Sequence, residues 1–299
     1  MSEAAIPKSS SSARQASGKS APSGASRIGA RFAHLAEARE MGLVAYITAG
    51  DPSLDATEKI ILASAEAGAD VIELGVPFSD PVADGPTIQR ASERALRAGT
   101  TLRAVIELIQ RVRAKSDVPL ILFSYYNPIL QMGVETFAAT ADAAGADGAL
   151  ATDLTPEEAG EYRAAMRSRH LDTIFLAAPT STDARLAKIA EVSSGFLYLI
   201  SRTGVTGERT ALPEDLPELA RRVRRFTTLP LAVGFGISQP SHVSVLGGIA
   251  DAAVVGSALV AEIEKSASAD DAAARVAARI RILKGAAREG VSHRSADRK

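Results

Sequence analysis

Short aliphatic runs alternate with helix-compatible stretches along most of this chain of 299 residues. The alternation is typical of a parallel sheet, because a helix must carry the chain back to the start of each next strand. About eight such units in roughly 250 residues match the size of a (β/α)8 TIM barrel. The predicted strands are 42–48, 71–75, 120–124, 148–151, 173–176, 196–200, 231–233 and 252–255.

The predicted helices lie between these runs, at 55–67, 88–98, 102–114, 134–144, 156–169, 182–192, 216–226 and 242–246. An additional helix is expected before the first strand, and a short one, 258–263, after the eighth. The last helix is predicted at 270–288 with Asp270 as its N-cap. Ala-Gly-Ala-Asp occurs at 67–70 and 144–147, where a helix is expected to give way to a strand.

An open, doubly wound sheet is the structural alternative. Such a sheet usually carries Gly-x-Gly-x-x-Gly after its first strand. Here the first strand runs into Ala49-Gly50-Asp51-Pro52, which does not fit that pattern. The sequence therefore favours the barrel over the open sheet.

Composition narrows the function classes. The formal net charge of −1 provides no general attraction for nucleic acid or an anionic membrane, and no apolar run is long enough to span a bilayer. The absence of cysteine excludes thiol catalysis, disulfides and cysteine-ligated metals. His34, His170, His242 and His293 lack ligand spacing, so we predict no metal site and structural or solvated histidines.

The expected domain organisation is one barrel over residues 27–289. Residues 1–26 are rich in Ser, Ala, Gly and Lys without periodicity, and we interpret them as a disordered tail. Residues 290–299 are polar and are expected to fray. The N-terminal stretch lacks the apolar centre of a secretory signal, and we expect a cytoplasmic protein.

Two carboxylates near the second predicted strand are the strongest candidates for catalysis. Glu73 lies among Val71, Ile72 and Leu74 in a run that reads as buried on both faces, where an ionised group must be paired or shift its pKa. Asp84 follows in a Gly/Pro-rich loop nearer solvent. Unequal surroundings would let one group shuttle protons while the other stays charged. Asp80 fits a turn better than a catalytic role.

Glycine-rich loops after the last strands predict a phosphate site. Gly234-Phe235-Gly236 follows the seventh strand, and Gly256-Ser257 opens the short helix after the eighth. Backbone N–H groups and a helix N-terminus attract an anion in this part of many barrels. Gly207 could add a donor from the loop 201–215, which has the length and composition of a mobile lid. Phosphate and two carboxylates together indicate isomerisation, aldol cleavage or elimination on a small phosphorylated substrate.

Several motifs, in this order, resemble the tryptophan synthase α subunit family across residues 31–288. They are 47–52 (ITAGDP), 73–89 (ELGVPFSDPVADGPTIQ), 125–128 (YYNP), 201–207 (SRTGVTG) and 234–238 (GFGIS). The 73–89 motif is the most specific, whereas glycine loops alone would be weak evidence. One departure is visible, because Thr152-Asp153-Leu154-Thr155 stands where the family often has Pro-Asp-Leu-Pro, which would loosen this loop.

The resemblance implies retro-aldol cleavage of indole-3-glycerol phosphate to indole and glyceraldehyde 3-phosphate. Glu73 matches the family's acid–base residue, and Asp84 matches the carboxylate that binds the indole N–H. The residues that match the indole pocket are Tyr46, Phe123, Leu150, Tyr198 and Phe235, and those in the phosphate loops are Thr206, Gly207, Gly234, Gly236, Gly256 and Ser257.

The resemblance also implies a partner. The family's α subunit docks on a β subunit, in an expected α2β2 assembly, and the β subunit carries pyridoxal phosphate and condenses indole with serine. No cofactor is expected in this chain itself. Two alternatives stay open: a module that only activates the β subunit, and another phosphate-binding barrel such as a sugar-phosphate epimerase or isomerase.

Overall fold

The computed structural model describes residues 26–200, 215–234 and 236–296, with side chains as far as residue 288. Its strands are short and buried, as expected for strands covered on both faces. They are β1 (Gly42–Thr48), β2 (Val71–Gly75), β3 (Leu120–Ser124), β4 (Gly148–Ala151), β5 (Asp172–Thr173), β6 (Leu176–Ala177), β7 (Leu197–Ile200), β8 (Leu231–Gly234) and β9 (Ala252–Val255).

Helices surround the barrel: the first packs Ile28, Phe32 and Leu35 against the interior, and most of the others cover the outside of the sheet. They are α1 (Arg27–Ala38), α2 (Leu54–Glu66), α3 (Pro86–Arg97), α4 (Leu102–Arg113), α5 (Tyr126–Met132), α6 (Val134–Ala144), α7 (Gly160–Ser168), α8 (Asp183–Val192), α9 (Leu216–Arg224), α10 (Pro240–Leu246), α11 (Ser257–Glu264) and α12 (Ala269–Ala296). The expected extra N-terminal helix and the short helix after the last strand are present as α1 and α11. None of the helices in this described part combines the length and apolarity needed to cross a membrane.

The sheet curls into a barrel whose fifth strand is split. The strands pair in parallel in the order β5-β4-β3-β2-β1-β9-β8-β7-β6, so the first and last strands are neighbours. The two ends of that order, β5 and β6, belong to one segment of chain. Between them the Ile174 N–H donates to Ala149 of β4 at 3.1 Å, and the Phe175 carbonyl accepts from Tyr198 of β7 at 3.2 Å. This segment closes the barrel, which confirms the predicted fold class and excludes the open sheet.

Two apolar layers stabilise the barrel. Inward-facing side chains fill its interior, among them Val44, Val71, Ile121, Leu150 and Phe196. The alternate strand residues face outward against the helices, as Leu43 and Ala45 do in β1. Because successive strand residues point to opposite faces, both sets must be apolar, which explains the near-continuous aliphatic runs in the sequence.

Aspartates stabilise the amino end of the barrel, called the bottom below. Each stands directly before a strand, and its carboxylate accepts a hydrogen bond from the backbone N–H at the start of the preceding neighbour strand. The pairs are Asp70 with Leu43, Asp147 with Leu120, and Asp251 with Leu231, at 2.7, 2.7 and 2.6 Å. This accounts for the aspartate of the Ala-Gly-Ala-Asp motifs, since it satisfies an N–H that the sheet leaves unpaired.

Several predicted boundaries were wrong. Helix α7 begins at Gly160 rather than at 156, because the preceding residues form turns that include the bond from the Glu158 N–H to the Thr155 carbonyl at 3.1 Å. Helix α5 was not predicted, and its seven residues carry too short a pattern to stand out.

The ends of the chain also differ from expectation. The last helix was predicted at 270–288 with Asp270 as its N-cap, but it begins at Ala269, because the Ser268 hydroxyl is the cap and accepts from the Asp271 N–H at 3.1 Å. Its backbone stays helical to Ala296, beyond the predicted end at 288. Ser26, assigned to the tail, caps α1 by accepting from the Gly29 N–H at 3.1 Å. Residues 1–25 of the predicted tail lie outside the described part.

Candidate active site

The two candidate carboxylates lie on and after strand β2. Glu73 is the central residue of that strand and pairs in register with Tyr46 of β1 and Ile121 of β3. Asp84 lies in the following loop, one residue before the Gly85 that caps α3. Carboxyl ends of barrel strands and the loops after them form one face, called the mouth below, where barrel enzymes hold their substrates.

Glu73 is fully buried without a partner in the described structure. Its exposed fraction is 0%, and no described donor forms a hydrogen bond with either carboxylate oxygen. Burial removes the water that would stabilise the negative charge, and it raises the pKa of Glu73 to about 8. The group is therefore protonated at neutral pH and can act as an acid.

Asp84 has a different environment. It is 8% exposed, and its Oδ2 accepts a hydrogen bond from the Tyr125 hydroxyl at 3.1 Å. Burial raises the pKa of Asp84 to about 6, and the bond from Tyr125 opposes that rise. Asp84 is therefore mostly ionised at pH 7 while Glu73 is mostly protonated. The two carboxylates hold opposite protonation states, as an acid and an electrostatic stabiliser require.

Tyr125 is a site residue to which the sequence reasoning assigned no role. Its hydroxyl accepts from the Ala83 N–H at 2.9 Å while it donates to Asp84, so it fixes two neighbouring residues of the loop. Its ring packs on Phe78 with a centroid distance of 5.1 Å. The signal was available, because Tyr125 follows β3 directly, where barrel strands present polar side chains to the mouth.

Aromatic and aliphatic side chains surround the carboxylates. Tyr46 and Phe123 meet edge to face at 5.1 Å between ring centroids. Phe123 also packs against the interior cluster that contains Leu150 and Tyr198. Burial raises the pKa of Tyr198 well above its usual value, and the charge of Glu73 adds to that rise. Side chains of this kind suit contact with a flat apolar ring.

Two glycines make room for the tyrosines of this pocket. A Cβ added at Gly75 would lie 2.1 Å from the Tyr46 hydroxyl, and one at Gly234 would lie 2.2 Å from the Tyr198 hydroxyl. Gly234 was predicted as part of a phosphate loop, but it is the last residue of β8. Because Gly234 has no side chain, Tyr198 can pack against it, and this holds whether or not the Gly234 N–H also binds a phosphate.

The phosphate end of the predicted site lies at α11 and the loop after β8. Gly256 precedes α11, and Ser257 is its first residue, so the free N–H groups of the first turn and the helix dipole lie there. Gly236 has a φ of +64°, in the left-handed region that glycine adopts without strain. The last helix also reaches this loop, where Arg279 of α12 donates a hydrogen bond to the Ser238 carbonyl.

The remaining predicted features either lie apart from the two carboxylates or fall outside the described residues. Asp80 is exposed, and its carbonyl accepts from the Val82 N–H at 2.9 Å in a turn. Thr206, Gly207 and Phe235, with the lid segment 201–214, lie outside the described residues. Across the part of the chain that the structure describes, no three His, Cys, Asp or Glu side chains are placed to hold a metal ion.

Comparisons with known proteins agree on one family. The family model for the tryptophan synthase alpha chain matches residues 32–288. A tryptophan synthase alpha chain from Solibacter usitatus is 55% identical over 241 residues, which cover 81% of this chain and 90% of that protein. A tryptophan synthase structure from Mycobacterium tuberculosis has a TM-score of 0.82 at 37% identity and covers 88% of this chain and 99% of its own. The tryptophan synthase subunit alpha of Legionella pneumophila gives 0.79 at 36% identity, with coverages of 88% and 98%.

Proposed function

Because the chain belongs to the tryptophan synthase alpha chain family, we propose that it is a lyase that cleaves indole-3-glycerol phosphate to indole and glyceraldehyde 3-phosphate. The observation that carries the proposal is the pair Glu73 and Asp84, whose surroundings give them different pKa values of about 8 and about 6. Both lie close enough to Tyr46 for their charges to act on its hydroxyl, and Tyr46 belongs to an aromatic and aliphatic cluster that suits an indole. A module that only activates a partner would not need these two carboxylates, so their presence favours an enzyme.

In the proposed reaction Glu73 gives a proton and then regains one. Its protonated carboxyl group donates to the indole ring carbon that bears the glycerol side chain, which makes the ring an electron acceptor. Asp84, ionised, accepts the indole N–H and stabilises the positive charge on the ring. The carbon–carbon bond then breaks, and its electron pair returns to the ring. The adjacent glycerol hydroxyl becomes the aldehyde and returns its proton to Glu73.

The remaining parts of the site would hold the substrate. Tyr46, Phe123, Leu150 and Tyr198 would contact the indole, and the first turn of α11 with the loop at Gly236 would bind the phosphate. Thr206, Gly207 and Phe235 complete the proposed set on the strength of the sequence motifs. Side chains supply the proton transfer and the charge stabilisation of this reaction, so we propose no cofactor for this chain.

The proposed partner is a tryptophan synthase β chain that uses the indole with serine and pyridoxal phosphate. Two large apolar side chains near the mouth support a docking surface there. Val82, in the Asp84 loop, is 75% exposed, and Leu130, in α5, is 50% exposed. Membership of a biosynthetic family also supports the predicted cytoplasmic location.

An indole-release assay tests the function. The substrate carries the same ring, so indole is first separated from it by chromatography; because the chain contains no tryptophan, indole fluorescence is then read without a protein tryptophan signal. We expect the wild-type chain to release indole from indole-3-glycerol phosphate, faster with a β chain, and Glu73→Gln to release none while keeping its far-UV circular dichroism. A wild-type chain that accelerates tryptophan formation from added indole, yet cleaves no indole-3-glycerol phosphate with or without β chain, would refute the proposal.

A further inference from the structure

We propose that Arg279 is a positioning residue for phosphate binding, acting through the loop that follows β8. The inference rests on the proposed phosphate site and assigns a residue of the last helix to it. Its basis is the hydrogen bond from the Arg279 guanidinium to the Ser238 carbonyl, which joins α12 to the loop two residues beyond Gly236.

Ser238 is held on both sides of its peptide backbone. It is 2% exposed, its carbonyl accepts from Arg279, and its N–H donates to Nδ1 of His242 in α10 at 3.4 Å. The bond to Nδ1 requires that nitrogen to be unprotonated, so His242 acts here as an acceptor. These two bonds fix the peptide groups on either side of Ser238.

The bond from Arg279 also orients the next peptide group. Because a trans peptide is planar, the N–H of Gln239 points opposite to the carbonyl of Ser238. Turning that carbonyl toward α12 therefore turns the Gln239 N–H away from it, at the N-cap of α10. A bond from a charged guanidinium to a carbonyl is among the stronger hydrogen bonds, so it can hold this orientation.

The charge of Arg279 is available to an anion. Among the described residues, no carboxylate lies within 4.0 Å of its guanidinium, whereas Arg275, one turn earlier, pairs with Asp271 at 3.0 Å. An arginine without a counter-ion beside an amide-lined loop adds positive potential for a phosphate dianion. Arg279 is half-buried, so water screens this charge less than at an exposed site.

A second contact shows that α12 holds α10 as well as the loop. The Ser244 hydroxyl of α10 lies 3.4 Å from the Ala286 carbonyl of α12, two turns beyond Arg279. Helix α12 therefore contacts this region at two separate points, the loop through Arg279 and α10 through Ala286. Loss of Arg279 should release the loop while the packing of α10 remains.

The test compares variants of the full chain for binding of glycerol 3-phosphate by calorimetry. We expect Arg279→Met to weaken this binding about tenfold, the equivalent of one charge-assisted hydrogen bond, and Arg279→Lys to restore most of it. Arg281→Met, on the exposed side of the same helix, is the matched control and should bind as wild type does. In the cleavage assay KM should rise for Arg279→Met while kcat stays within about twofold.

The outcomes separate this inference from the proposed function. Wild-type affinity for glycerol 3-phosphate in Arg279→Met would overturn the inference, as would an equal weakening of indole binding, which indicates general loosening. If the Met variant does not fold, Arg279→Gln decides in the same way, with at least a threefold loss expected. A wild-type chain that binds glycerol 3-phosphate but cleaves no indole-3-glycerol phosphate would refute the proposed function alone. A wild-type chain that neither binds glycerol 3-phosphate nor cleaves indole-3-glycerol phosphate would overturn the proposed function and this inference.

Discussion

Replacing Glu73 by glutamine should change the pH dependence of stability in a defined direction. Burial raises the pKa of Glu73 from an ordinary value of 4.5 to about 8. Between these values the folded barrel binds one more proton than the unfolded chain, so the wild-type free energy of unfolding falls as pH rises. Each pH unit in this window costs about 1.4 kcal/mol, and the loss ends above about pH 8.

Glutamine does not ionise in this pH range, so the variant lacks the pH-dependent contribution of Glu73 to the free energy of unfolding. The free energy of unfolding of Glu73→Gln minus that of wild type should therefore grow by about 4 kcal/mol between pH 5 and pH 8. Other titrating groups are common to both proteins and cancel in the difference. Urea unfolding at each pH unit, followed by far-UV circular dichroism, measures this difference in free energy. The method needs no tryptophan signal.

A second variant controls for the loss of one carboxyl group. Glu107 of α4 is exposed, and Glu107→Gln carries the same substitution on the surface. A difference between Glu73→Gln and wild type that stays constant from pH 5 to pH 8 would show that Glu73 is ionised in the folded barrel. Glu73 would then have no proton to donate at neutral pH.

Further predictions address the rest of the site and the bottom of the barrel. Cleavage should be fastest between about pH 6 and pH 8, where Asp84 is ionised and Glu73 protonated, and Asp84→Asn should lower kcat at least about a hundredfold in the indole-release assay. Gly234→Ala places a Cβ 2.2 Å from the Tyr198 hydroxyl, so calorimetry should show weakened indole binding and unchanged glycerol 3-phosphate binding. Lys284→Met removes the 2.6 Å ion pair with buried Asp70, and urea unfolding should show a loss of about 3 kcal/mol with kcat unchanged.

The sequence was sufficient for the barrel because strands buried on both faces need continuous aliphatic runs, and these are visible without a structure. The sequence was insufficient to locate the places where the chain departs from regular strand pairing or helix capping. The interruption of the fifth strand at Ile174 and Phe175 leaves no trace in an apolar run, because both residues remain buried. The start of α12 depended on a Ser268 hydroxyl that competes with Asp270 as cap, and only the hydrogen bond decides between them.

The candidate site shows the same division. Glu73 and Asp84 could be found because carboxylates in a buried strand and a glycine-rich loop are chemically unusual. The position of Tyr125 after β3 was a signal, but its role and that of Arg279 depend on contacts with Asp84 and Ser238, each 41 positions away in sequence. Gly234 also leaves room for the Tyr198 hydroxyl, which the sequence did not reveal, and its place in the phosphate site stays a prediction.

The aspartate bonds at the bottom have a consequence for how the molecule opens. They join residues that are 27, 27 and 20 positions apart, so each ties a strand only to its sequence neighbour across the one or two helices between them. Breaking one leaves the others intact, and the barrel can loosen in sectors rather than all at once. Amide hydrogen exchange should therefore report separate protection classes for the β1–β2, β3–β4 and β8–β9 units.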